Sequence, residues 1–305
     1  MPQWLATCFL NEQGSVRSGW KALGFMLLFP ALGMAFSLVA RALHVPRMGM
    51  GGVAWINAAI VALASLICVR LERRSFRDLG FRPGPRWLGE LLAGTLGGIL
   101  LILVTALIVK GLDGFHWERV ADIGPRQLLT AAWAFLGVAF FEEIMSRGFP
   151  FQRLVEGAGT WVGQLVFAVL FALGHWGNPG MHGATKAWAT LNIALAALLL
   201  GFCYLRTRSL ALPIGVHLGW NWAQGSLLGF GVSGTTDIRG LWSPVFHGKP
   251  EWLTGGAFGR GAPEHRRGAA RGLRLAQLPA ADGGLLRLRL PGGVHRRAHA
   301  QLPEG

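Results

Sequence analysis

Two adjacent glutamates and an arginine, Glu142, Glu143 and Arg147, stand in FEEIMSRGF, directly after the uncharged stretch AAWAFLGVAF. Charge inside so apolar a run is costly and usually faces the interior of a helical bundle. Glu143 and Arg147 are four residues apart, so on a helix they share a face and can neutralise each other. Glu142 lies about 100° round the helix from Glu143 and is left for another partner, as a general base would be. A structural ion pair would explain Glu143 and Arg147 but not Glu142.

Two further polar groups interrupt apolar runs. FALGH ends on His175, and HLGWN carries His217 and Asn221 four residues apart, on one helix face. Taken alone, His175 reads as a hydrogen-bonded structural histidine. His217 and Asn221 fit interhelical polar contacts equally well. If the three groups meet, a carboxylate and an imidazole could activate a water, and an imidazole with an amide could bind the oxyanion formed on a carbonyl. No Ser, Cys or Lys stands out as a nucleophile. Direct attack by water on a peptide or amide bond is therefore the expected reaction class.

The elements that must position these groups are apolar. The chain has 305 residues, 52% hydrophobic and 14% charged, with mean hydropathy +0.41. A soluble domain carries roughly 25% charged residues, so the composition is that of a membrane protein. Thirteen Trp against one Tyr suits the membrane interface. Cys8, Cys68 and Cys203 lie far apart with no CxxC spacing, which argues against a disulfide framework or thiolate metal site. The formal charge of +14 is spread along the chain, and no nucleic-acid partner is expected. The expected partners are the lipid bilayer and a peptide or protein substrate within it.

A spanning helix needs about 20 mostly apolar residues. Seven windows qualify: 20–42, 52–71, 88–109, 130–153, 161–176, 188–205 and 210–231. The fold expected is an all-α polytopic transmembrane bundle of about seven spans. MPQWLATCFLNEQG lacks a basic n-region and a cleavage site, so the first window is expected to stay as a helix. The connection RLERRSFRDLGFRPGPR holds six arginines, Arg70, Arg73, Arg74, Arg77, Arg82 and Arg86. Positive charge favours the cytoplasm, so this connection and the N-terminus are placed there, in a multi-pass protein of the inner (plasma) membrane. At about 1.5 Å per residue, His175 lies roughly 20 Å from the inner end of its span, and His217 and Asn221 roughly 12–18 Å. Glu142 reaches about 17 Å if its helix runs on through Arg153. Convergence is thus sterically open.

The chain is divided into a transmembrane region, 1–259, with its motifs in 128–235, and a basic segment, 260–305. That segment is rich in Arg, Gly, Ala, Leu and Pro and has no periodicity. It reads as a disordered basic tail, or as out-of-frame translation of a GC-rich gene that has lost an eighth span; we favour the second.

EEIMSRG resembles the EExxxRG motif of the CPBP family, the CAAX prenyl endopeptidase and bacteriocin-processing (Abi) proteins. FALGH resembles its FxxxH motif and HLGWN its HxxxN motif, in the family's order. The resemblance is to the bacterial members and covers about 20–259. It implies a helical intramembrane protease with a site opening towards the cytoplasm. It further implies that Glu142 and His175 activate the water, that His217 and Asn221 form the oxyanion hole, and that Glu143 and Arg147 support them. Asn192, in LNIAL, is given a lesser supporting role, and His182 is read as a loop residue. Ser146 departs from the bulky apolar residue common before the motif arginine. No cofactor is expected. A zinc-dependent version, a metalloendopeptidase with Glu142, His175 and His217 as ligands, is the nearest rival. A non-catalytic membrane scaffold or self-immunity protein of the same fold is the alternative of another class.

Overall fold

The computed structural model describes residues 7–235 and 238–260. The basic segment beyond Arg260, with its two readings, lies outside them. The described chain is a helical bundle with one small two-stranded sheet. In order, the elements are α1 (Ser18–Ala42), α2 (Met50–Leu71), a 3-10 turn (Phe76–Leu79), α3 (Pro85–Gly111), β1 (Phe115–Arg119), α4 (Pro125–Arg147) and α5 (Phe149–Ala158). Then follow α6 (Thr160–Gly174), α7 (Gly183–Thr207), α8 (Ala211–Trp222) with a π turn to Leu227, β2 (Trp242–Phe246), α9 (Glu251–Thr254) and α10 (Gly256–Arg260).

All seven apolar windows are helical. Among the described residues five stretches are long and apolar enough to cross a membrane: α1, α2, α3, the α4–α5 pair Pro125–Ala158, and α7. The windows at 161–176 and 210–231 form shorter helices. α6 has 15 residues, about 22 Å of rise, and α8 has 12 before its π turn.

The fourth window is not one straight helix through Arg153, as its apolar run led us to expect. It breaks at Gly148, whose ψ of −139° leaves the helical region. Pro150, near the start of α5, supplies the cause. It has no N–H, and its ring would strike the carbonyl four residues back, at Ser146. Glu142, Glu143 and Arg147 consequently occupy the last turns of α4. The two strands, absent from the sequence reading, pair antiparallel with Phe115 opposite Phe246. Asp113 accepts from His247 Nδ1 at 2.7 Å, and His247 Nε2 lies 2.7 Å from His116 Nδ1, which ties the sheet across its exposed side.

In lipid, helices associate through close packing of small residues rather than through apolar burial. α3 and α8 follow this rule. Gly94 and Gly98 of α3 face Gly215 and Gly219 of α8, and a Cβ on any of the four would overlap the partner's backbone. At Gly94 it would lie 2.5 Å from Leu212 O; at Gly98 it would overlap Val216 O, and at Gly219, Thr95 O. Gly215 and Gly219 lie two residues either side of His217, on the opposite face of α8. The contact therefore fixes the back of the helix whose front carries His217 and Asn221.

Gly98→Ala or Gly219→Ala should destabilise the protein by about 1–3 kcal/mol through overpacking. Gly97→Ala, whose added Cβ meets nothing within 4 Å, should be neutral or stabilising by about 0.5–1 kcal/mol from helix propensity. Unfolding of the detergent-solubilised variants reads the difference.

Candidate active site

Three helices and a cap bring the sequence's candidates together. Glu143 is completely buried near the end of α4. Its Oε1 accepts from Arg147 Nη1 at 3.0 Å, one turn along the same helix, and from His217 Nδ1 at 2.8 Å. The i, i+4 pair read from the sequence is present. The bond to His217, 74 residues away, is an addition that the spacing could not show. Arg147 also donates through Nη2 to Ala197 O of α7 at 2.7 Å and lies over the Phe171 ring of α6, 5.0 Å from its centroid. One buried carboxylate and one buried guanidinium thus link α4, α6, α7 and α8.

Glu142 is less enclosed, its side chain 21% exposed, and its Oε2 lies 3.6 Å from His217 Nε2. Because His217 donates its Nδ1–H to Glu143, Nε2 is the nitrogen turned towards Glu142. His175 caps the C-terminus of α6. Its Nδ1–H donates to Phe171 O at 2.7 Å, which leaves Nε2 with its lone pair free for a proton. The Phe171 ring sits between the histidines, 4.9 Å from His175 and 6.4 Å from His217. Phe171 therefore packs and positions rather than reacts. Asn221, one turn beyond His217, makes no hydrogen bond to another described residue.

Glu142, His175, Asn192, His217 and Asn221 line one cavity of about 720 Å³. Its remaining wall is mostly apolar, from Ile102 to Val109 of α3, the Trp188–Leu200 stretch of α7, and Trp252 of α9. His182 lies outside it, exposed at the N-cap of α7. Ser146 is buried. Glu251, which sequence reasoning missed, also lines the cavity and accepts from Thr185 Oγ1 at 2.7 Å. It follows the last motif by 30 residues, with no spacing to mark it. Among the described residues no group of three or more His, Cys, Asp or Glu side chains is arranged to hold a metal, the trio Glu142, His175 and His217 included.

The cavity lies towards the C-terminal end of α3 and the N-terminal half of α7. The arginine-rich connection packs at the other ends of both, where Leu210 N donates to Gly80 O. A cytoplasmic connection and a cavity opening to the cytoplasm are therefore conflicting expectations.

Removing Arg147 would strand the Glu143 charge. Arg147→Ala should cost about 3–5 kcal/mol, and adding Glu143→Gln to it should recover a large part of that loss. Denaturation midpoints of the three proteins check this.

No curated protein matches the chain. Residues 124–223 match the family model of the type II CAAX prenyl endopeptidase Rce1-like proteins, so the likeness first carried by three short motifs extends from the start of α4 to the end of α8.

Proposed function

We propose that the protein is an intramembrane endopeptidase that hydrolyses a peptide bond with a water activated by Glu142 and His175. The matched family is one of CAAX-type proteases, and the five long apolar helices are those of a membrane protein. The observation that carries the residue assignment is the shared cavity. Glu142 from α4, His175 from the cap of α6, and His217 and Asn221 from α8 all border it, and its apolar wall suits a membrane-borne peptide.

Glu142 accepts the proton as the water oxygen attacks the carbonyl carbon, and the free Nε2 of His175 orients that water. The oxyanion is met by the Asn221 amide and by His217 Nε2. With Nδ1–H committed to Glu143, His217 must carry a second proton on Nε2 to donate, and Glu142 at 3.6 Å is the group able to exchange it. Collapse of the tetrahedral intermediate breaks the C–N bond, and the proton held by Glu142 passes to the departing amine. Glu143 and Arg147 hold the His217 ring rather than touch substrate. Asn192 borders the substrate space from α7.

Glu142→Gln should lower peptide cleavage by about 10²–10⁴-fold, and Asn221→Ala by about 10²–10³-fold, both with unchanged folding. Cleavage should survive chelation; loss on chelation and recovery with zinc would establish the metalloendopeptidase instead. If Glu142→Gln cleaves nothing yet preserves the biological phenotype, the protein acts as a scaffold or self-immunity protein.

The orientation follows from the arginines. With the six-arginine connection in the cytoplasm of a plasma membrane, the cavity faces the opposite side. In a cysteine-free background, Trp252→Cys at the cavity should react with a membrane-impermeant maleimide in intact cells, and Arg77→Cys only after permeabilisation. The reverse pattern would restore the cytoplasmic opening.

A further inference from the structure

At the end of the bundle away from the catalytic cavity, a second cavity of about 340 Å³ is bounded by the arginine-rich connection, α5 and the α7–α8 turn. The two cavities share no lining residue. Five guanidinium groups border the second one, Arg74, Arg82, Arg86, Arg153 and Arg208. The carboxylates in its lining are Asp78, Glu90 and Glu156. A fourth, Glu72, just outside it, pairs with Arg153 at 3.2 Å and Arg74 at 3.9 Å while also holding Lys21, so the guanidinium groups outnumber the carboxylates by one.

The carboxylates leave much of this donor capacity unused. Arg82 meets Asp78 at 3.7 Å, Arg86 meets Glu90 at 3.0 Å, and Arg74 meets Glu156 at 3.4 Å. Each guanidinium carries five N–H donors, and the Arg82 and Arg86 side chains are 68% and 82% exposed. Arg208 has no carboxylate within 4 Å among the described residues. Among the described residues two donors buried beside the cavity also lack a hydrogen-bond acceptor, the Trp87 indole Nε1 and the Nε of Arg153, an arginine only 3% exposed whose Nη1 is held by Glu72 and Glu156 at 3.2 and 2.7 Å. Unmatched buried donors are costly, and here they accompany a surplus of cations.

The walls are held rigidly. Gly80, at φ +89°, lies so close to the α7–α8 turn that a Cβ there would stand 2.8 Å from Arg208 O. Gln152 donates to Leu79 O at 3.0 Å, which ties the connection to α5. The backbone around the cavity is therefore fixed and Arg153 is held within it, while the exposed Arg82 and Arg86 side chains remain available to close on a ligand.

We propose that this cavity binds a phosphate group, either that of an anionic phospholipid headgroup or free phosphate. Guanidinium forks match phosphate oxygens bidentately. The cavity has room for a phosphate with a glycerol attached, and it lies at the membrane end where the basic connection meets the headgroups. A bound phosphate would clamp the connection, α5 and the α7–α8 turn together, at the base of the helix that carries His217.

The test uses the full-length protein in detergent, by native mass spectrometry with phosphatidylglycerol or phosphatidylcholine and by thermal shift with inorganic phosphate. Wild type should retain phosphatidylglycerol at least several-fold over phosphatidylcholine if the source is lipid, or be stabilised by millimolar inorganic phosphate if it is the free anion. The Arg82→Gln/Arg208→Gln protein should lose about tenfold of whichever binding is seen. Arg47→Gln, an exposed arginine outside this cavity, should lose none. Equal retention of both lipids together with no phosphate shift would overturn the proposal, as would equal losses in the double variant and in Arg47→Gln. Neither readout involves cleavage, so the outcome stands apart from the catalytic assignment.

Discussion

A carboxylate with no exposure to water must be matched where it sits, and the bundle is assembled around that demand at Glu143. Its Oε1 receives Arg147 from its own helix and His217 from α8, while Arg147 reaches on to the carbonyl of Ala197 in α7. An unpaired charge in such a setting costs several kcal/mol, so these helices cannot separate or slide independently. The same bond decides which nitrogen of His217 carries its proton and which turns to Glu142. Oε2 of Glu143 has no hydrogen-bond partner among the described residues, and the bonds to Arg147 and His217 both fall on Oε1.

Local chemistry was the part of the site most legible in the sequence. Glu143 with Arg147, and His217 with Asn221, are one helical turn apart, and that spacing alone puts each pair on one face. That Glu142, His175, His217 and Asn221 border a single cavity was only sterically open from depth arithmetic, and the family resemblance made it specific. The Glu143–His217 bond was not legible, because nothing local couples residues 74 positions apart. By spacing alone the i, i+4 arginine suffices as a partner, and nothing local points to a second.

The remaining differences have equally local causes. Apolar content extended the fourth window through Arg153, whereas Gly-Phe-Pro at 148–150 breaks it, backbone chemistry overriding composition. FHWER and WSPVF are five residues each, too short to announce a strand, and Pro244 lies within the second. The two short helices matched spanning windows because apolar residues continue past their ends. Gly abundance pointed to close helix packing, but not to which glycines meet.

The Gly94–Gly98 and Gly215–Gly219 contact also divides the site by how freely it can change over evolution. Behind His217 no side chain intervenes between α3 and α8, so there is nothing there to trim or exchange. A lineage that alters those four positions must move the histidine with them. The opposite wall, on α7, is built from Trp188, Leu191, Leu195 and Leu199, large side chains whose shapes can be traded one at a time. In the proposed protease, substrate preference can therefore drift along α7 while the groups assigned to catalysis stay where the glycine backbone holds them.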